Sequence, residues 1–114
     1  MKKLISISIL VILLSGCGAP NATKEFAQCL TDNGAIFYGS DTCGHCLDQK
    51  EMFGTAISSV NYVNCQFNIE ACTSANIMYY PTWKVDGEPL GDSGVKSFDV
   101  LAEATGCELE TLES

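Results

Sequence analysis

The sequence predicts an α/β domain in which helices cover a sheet, and three observations carry that expectation. Apolar runs of strand length, Ala35 to Tyr38 and Val60 to Asn64, alternate with stretches of helical spacing. Cys43-Gly44-His45-Cys46 stands where the first run gives way to a helix. Tyr80-Pro81-Thr82 then leads into a hairpin about Asp86-Gly87, a strong turn pair. At 114 residues the chain can build one core and is too short for two.

The elements follow in order. Met1-Lys2-Lys3 is a short positive segment, and Leu4 to Leu14 is apolar apart from Ser6 and Ser8. This is the shape of a secretory leader, too short for a comfortable membrane span. Leu14-Ser15-Gly16-Cys17 resembles the bacterial lipobox, in which the cysteine is lipidated and becomes the first mature residue. The expected organisation is a leader over 1–16, a lipidated tether over 17–23, a domain over 24–107 and an acidic tail over 108–114. The alternative for the front is an ordinary leader with an incidental cysteine.

Within the domain, Lys24 to Asn33 puts Phe26, Cys29 and Leu30 on one helical face, with Gly34 as the stop. Ala35 to Tyr38 is wholly apolar and suits the centre of a sheet. Asp41 or Thr42 can cap a helix from Cys43 that shows Cys46, Lys50, Phe53 and Ile57 inward. Asp48, Gln49 and Glu51 then point mostly outward, and Gly54 bends or loosens the helix. Val60 to Asn64 reads as a strand and Glu70 to Ala75 as a short helix. Thr82 to Val85 and Glu88 to Gly91 form the hairpin. Ser97 caps a last helix to Thr105, with Phe98, Leu101, Ala102 and Val100 as its apolar face and Gly106 at its end. The order is α-β-α-β-α-β-β-α.

Charge narrows the function. The formal net charge is −8, there is no arginine, and loss of Lys2 and Lys3 with the leader makes the remainder more acidic still. Such a surface repels phosphate backbones, so no nucleic-acid partner is expected.

Of seven cysteines, six remain once Cys17 is set aside for lipid, an even number that fits an exported disulfide framework. Six cysteines allow fifteen connectivities. Cys43 and Cys46 form the redox pair, Cys65 and Cys72 flank a short loop, and Cys29 and Cys107 are left to each other. A four-cysteine zinc site is the alternative, though a second CxxC is missing. Heme attachment needs histidine after the second cysteine, where Leu47 stands.

The dithiol after the first strand and the proline before the hairpin give the chain its family resemblance. It resembles the thioredoxin superfamily, and more narrowly the thioredoxin-like domain of bacterial vitamin K epoxide reductase homologues. The matching residues are Gly34-Ala35, Tyr38-Gly39, Cys43 with His45-Cys46, Gln49-Lys50, Phe53-Gly54, and Tyr62-Val63 with Cys65. Cys72, Tyr80-Pro81-Thr82-Trp83, Gly87, and Leu101-Ala102 with Gly106 continue the match. The resemblance implies a thioredoxin fold with a central mixed four-stranded sheet. It also implies a domain that shuttles disulfides between client proteins and a quinone-linked membrane enzyme. That partner would be a separate chain here. Gly44 stands where many relatives have proline, giving the Cys-Gly-His-Cys of protein disulfide isomerases.

Cys43, at the helix end, is the expected nucleophile, its thiolate favoured by the helix N-terminus. Cys46, one turn in, is the expected resolving thiol. His45, the one histidine, either stabilises the Cys43 thiolate or is a solvated loop residue. A static structural disulfide is the alternative for the pair. The resemblance makes Pro81 a cis-proline packed against the dithiol, with Tyr80 and Thr82 in the client groove. Tyr79 and Tyr80 either rim that groove or join the core. Trp83, Phe37, Ile36 and Val85 read as core. Where thioredoxins bury an acid beneath the cysteines this chain has Phe37, so proton transfer at Cys46 must use water or another group.

The expected function is a membrane-anchored oxidoreductase that oxidises exported thiols, with no cofactor of its own. Its expected partners are exported clients, a vitamin K epoxide reductase-like membrane protein and the membrane itself. It would lie on the outer side of a bacterial membrane. Alternatives are a reductase of exported cysteines such as those of apocytochromes, or a metal-binding lipoprotein using Cys43, Cys46 and His45.

Overall fold

The computed structural model describes residues 22–109. The leader, the Cys17 lipidation site and positions 110–114 of the tail lie outside the described residues. No described helix is long and apolar enough to cross a membrane.

The first helix, α1, spans Lys24–Asp32 and starts because Thr23 is an N-cap, its hydroxyl accepting from Phe26 N at 3.1 Å. It buries Phe26, Ala27 and Leu30. Ala22, expected in the tether, is also buried in the core, so the folded part begins ahead of the helix. Gly34 ends the turn after α1 at φ 82°, with the Asp86 side chain packed against it. That left-handed backbone conformation favours glycine.

Strand β1, Ala35–Gly39, follows and lies inside the sheet. On one side it pairs parallel with β2, Tyr62–Asn64, and on the other antiparallel with β3, Thr82–Val85. The short strand β4, Glu88–Pro89, completes a mixed sheet ordered β2-β1-β3-β4. Successive side chains alternate between faces. Ala35 and Phe37 enter the main core, while Ile36 and Tyr38 pack with Cys65, Cys72, Val63 and Ile77 on the other face. Both faces are covered, which is why the strand carries no polar position. Asp86 and Gly87 have φ of 50° and 83°, the pair of positive values that a tight hairpin turn needs.

Helix α2 spans Gly44–Phe53 and stops at Gly54, whose φ of 56° and ψ of −131° turn the chain into a 3-10 segment, Gly54–Ser59. Ile57 therefore reaches the core from that segment, not from the helix. Gln49, expected outward, is fully buried. Its Oε1 accepts from Trp83 Nε1 at 3.0 Å and Lys96 N at 2.7 Å, and its Nε2 donates to Lys96 O at 3.1 Å. These bonds satisfy the amide and make its burial tolerable.

The expected second strand loses its first two residues, because Val60 caps the 3-10 segment, although Asn61 O still accepts from Phe37 N at 2.9 Å. Helix α3 is Ile69–Ser74 and α4 is Phe98–Thr105, the latter capped by Ser97 and closed by Gly106 at φ 76°. Val100, expected on the apolar face of α4, is exposed, and Phe98 and Leu101 supply the packing. Edge-on aromatic contacts join Phe98 to Phe26 and Phe53, with centroids 5.7 and 5.1 Å apart.

Candidate active site

The dithiol stands on the junction that β1 and α2 create. After Gly39 the chain turns through Ser40, Asp41 and Thr42. Cys43 N donates to Ser40 O at 3.2 Å, Thr42 N donates to Ser40 Oγ at 3.2 Å, and the Ser40 and Thr42 hydroxyls are 3.0 Å apart. Neither Asp41 nor Thr42 caps α2, as the sequence had led one to expect. Cys43 is itself the N-cap, with its sulfur accepting from Cys46 N at 3.3 Å. The cap position leaves the Cys43 sulfur at the positive end of the helix.

Cys46, one turn inside, is 0% exposed, whereas Cys43 is half-buried, and both are unbonded thiols. Burial pushes the Cys46 thiol up to about 12, and its hydrogen bond with Cys43 adds to the rise. A hydrogen bond from the Ser40 backbone and the charge of Lys50 act the other way. Gly39 makes room for this sulfur, since a Cβ there would lie 2.9 Å from Cys46 Sγ.

The remaining expected site residues separate into two groups. The Tyr80–Pro81 bond is cis, Pro81 is buried, and its carbonyl accepts from Gly94 N at 2.8 Å. Tyr79 and Tyr80 are exposed, which favours the rim over the core. The Tyr80 backbone makes no hydrogen bond among the described residues, so its N–H and C=O are open to another strand. The Thr82 hydroxyl donates to Tyr79 O at 2.7 Å and lies 3.1 Å from Ser93 Oγ, so it shapes the loop before Pro81. His45 is 79% exposed with Nδ1 3.7 Å from Asp48 Oδ2, and no hydrogen bond joins it to either sulfur among the described residues.

Phe37 lies beneath the site between two rings, its centroid 4.9 Å from Tyr62 and 5.0 Å from Trp83. Beside it sits a polar set absent from the sequence-based site: Asp41, Lys50 and Tyr62. Lys50 Nζ is 2.7 Å from Asp41 Oδ1, and the Tyr62 hydroxyl donates to the same oxygen at 3.1 Å. Only Lys50 had a readable signal, its position four residues after Cys46 on the same helix face.

Away from the site, Cys29 bonds Cys107 and Cys65 bonds Cys72, with Cα–Cα distances of 6.0 and 5.7 Å. Both separations suit an unstrained bridge. These four sulfurs are thereby committed to each other and not to a metal. Among the described residues no three His, Cys, Asp or Glu side chains gather as metal donors.

No protein-family model matches the chain. Over 106 residues it is 38% identical to the thiol-disulfide oxidoreductase LTO1 of Arabidopsis thaliana, a match that takes in 85% of this chain. The chain spans 27% of the length of that relative. A mutant thioredoxin from Halobacterium salinarum matches the structure with a TM-score of 0.50, covering 79% of this chain and 89% of that one at 20% identity. The β2-β1-β3-β4 sheet, the dithiol at the start of α2 and this structural likeness lead to one conclusion: the chain has the thioredoxin fold.

Proposed function

We propose that the chain is a thiol-disulfide oxidoreductase, lipid-anchored through Cys17 on the outer side of a bacterial membrane. In this reading it exchanges disulfides with exported proteins and is reoxidised by a quinone-linked membrane protein of the vitamin K epoxide reductase type. The observation that carries the chemistry is the asymmetry of the dithiol, with Cys43 half-buried at the helix cap and Cys46 fully buried behind it. The similarity to a named thiol-disulfide oxidoreductase supports it.

In the oxidised state a client thiolate attacks Cys43 Sγ, the Cys43–Cys46 bond breaks, and its electron pair leaves on Cys46. A mixed disulfide joins Cys43 to the client. A second client thiolate then attacks the client sulfur of that bridge and releases Cys43 as thiolate. The client has lost two electrons and the dithiol has gained them. The open backbone of Tyr80 pairs the client strand next to the site, as in strand addition. The anchor rests on the Leu14-Ser15-Gly16-Cys17 lipobox resemblance and the leader before it.

The test is exchange of the reduced protein with a peptide that carries a disulfide, whose attacked sulfur bonds Cys43 while the other leaves as thiolate, for wild type, Cys43→Ser and Cys46→Ser. The first variant is expected to be inert and the second to accumulate the mixed disulfide. Equal loss with no trapped species in Cys46→Ser overturns the assigned roles. Equilibration with glutathione gives the potential, and a value near those of cytosolic reductants would reverse the electron flow. Labelling of cells with a fatty acid, lost in Cys17→Ala, tests the anchor.

A further inference from the structure

Phe37 offers neither proton nor charge to the buried sulfur of Cys46, yet one cation is built into its surroundings. Asp41 comes from the turn after β1, Lys50 from α2 and Tyr62 from the start of β2. Lys50 Nζ lies 2.7 Å from Asp41 Oδ1 and 4.0 Å from the centroid of the Tyr62 ring. The Tyr62 hydroxyl donates to that same Asp41 oxygen, so the three groups close on one another.

The Tyr62 member of the set lies next to the sulfur. A Cβ placed on Gly39 would meet Cys46 Sγ at 2.9 Å and Tyr62 Cε2 at 3.2 Å, so sulfur and ring edge flank the same glycine. Lys50 follows Cys46 by one helical turn, on the same face. Its side chain is 23% exposed, against 79% for His45. Lys84 and Lys96 are engaged elsewhere, with the carbonyls of Ala75 and Asp92. The titratable groups around Cys46 are thus Cys43 from its own turn, Asp41 before it, Lys50 on its helix and Tyr62 on β2, while β1 presents Phe37 and Gly39.

We propose that Lys50, aimed by Asp41 and the Tyr62 ring, is the positioning residue whose charge stabilises the Cys46 thiolate during disulfide exchange. This rests on the exchange reading above. When a client attacks Cys43 Sγ, the electron pair of the breaking S–S bond collects on Cys46, and the ammonium offsets that charge without giving up its proton. Water then protonates the sulfur. In the reverse step water takes the Cys46 proton, the thiolate attacks Cys43 Sγ in the mixed disulfide, the bond from Cys43 to the client breaks, and the client leaves as thiolate. The electrostatic pull of Lys50 on the Cys46 thiol, opposed by burial, agrees with this role. A partly buried cation acts with little screening, as an exposed one would not.

The test uses the reduced full chain and a neutral pyridyl disulfide in excess, under stopped flow. The first pyridinethione released reports attack by Cys43, and the second reports attack by Cys46 on the resulting mixed disulfide. Lys50→Met is expected to keep the first phase within about twofold, slow the second about tenfold near neutral pH, and shift its pH midpoint up by about one unit. Lys50→Arg is expected to restore both. A merely structural role would lower the melting temperature without moving that midpoint, and Lys50→Gln repeats the test if the methionine variant does not fold. A second phase with unchanged rate and midpoint in the neutral variants overturns the proposal and leaves the exchange reading intact. Absence of the second phase in wild type overturns the exchange reading itself, and this proposal with it.

Discussion

The two thiols differ because one residue caps a helix and the other lies under it, and that difference has a consequence for pH. The Cys46 thiol is raised from its ordinary value of 9.0 to about 12, first by burial. Above pH 9 the unfolded chain gives up this proton while the folded chain keeps it, so the unfolded state binds fewer protons. The stability present below pH 9 is therefore expected to fall as pH climbs toward 12. Urea titrations of the reduced protein at several pH values should show this slope, and Cys46→Ala should flatten it. Tyr62, also raised by burial and by its bond to Asp41, is present in both proteins, and Cys46 is only a lesser cause of its rise, so the difference between the two slopes reports chiefly on Cys46.

For His45, exchange of imidazole for an apolar group in His45→Leu is expected to lower the reduction potential if the ring aids the Cys43 thiolate. A fall of about 30 mV equals roughly 1.4 kcal/mol, beyond the roughly 0.3–1 kcal/mol that a helix end contributes at the surface. An unchanged potential makes His45 the solvated partner of Asp48 that its exposure describes.

At the scale of elements, Gln49 is the joint between α2, β3 and the segment before α4. Its amide accepts from the Trp83 indole and the Lys96 backbone, and both donors would be left unpaired in Gln49→Leu. The Trp83 donor is buried and the Lys96 donor only partly so, and an unpaired buried donor costs roughly 1–3 kcal/mol, so the urea midpoint should drop by a corresponding amount. A variant as stable as wild type would show that the amide is not structural. The signal for this joint is weak in the sequence, because a glutamine between Asp48 and Lys50 on a helix reads as solvent-facing. Only the approach of Trp83 from β3 makes that face an inside face. Element boundaries moved for similar reasons: Gly54 ends α2 through its positive φ, and the 3-10 segment that follows takes Ile57 and Val60 from their expected places.

At the scale of the molecule, one long bridge joins the ends of the domain and one short bridge closes an inner loop. Cys29–Cys107 closes 78 residues of separation and Cys65–Cys72 only 7. Chain entropy puts their contributions near about 4.5 and about 2.5 kcal/mol as upper figures. Replacing both members of the long bridge by alanine is expected to lower the melting temperature more than replacing both members of the short one. The reverse order would show that local packing around Tyr38 and Ile77, and not loop closure, governs the effect.

The order of helices and strands, the hairpin turn and the cysteine pair at the start of α2 were determined by the sequence alone, because each rests on neighbours within a few positions. A cap, a Gly in a left-handed turn, an apolar run and a CxxC spacing act locally. The meeting of Asp41, Lys50 and Tyr62 beside Cys46, and the burial of Gln49, were decided only by the tertiary structure. Those contacts depend on β1 pairing parallel with β2 and antiparallel with β3, which brings residues from distant segments against one helix. No local pattern records that register, so the convergence of Asp41 and Tyr62 on Lys50 could be found only once the sheet had formed.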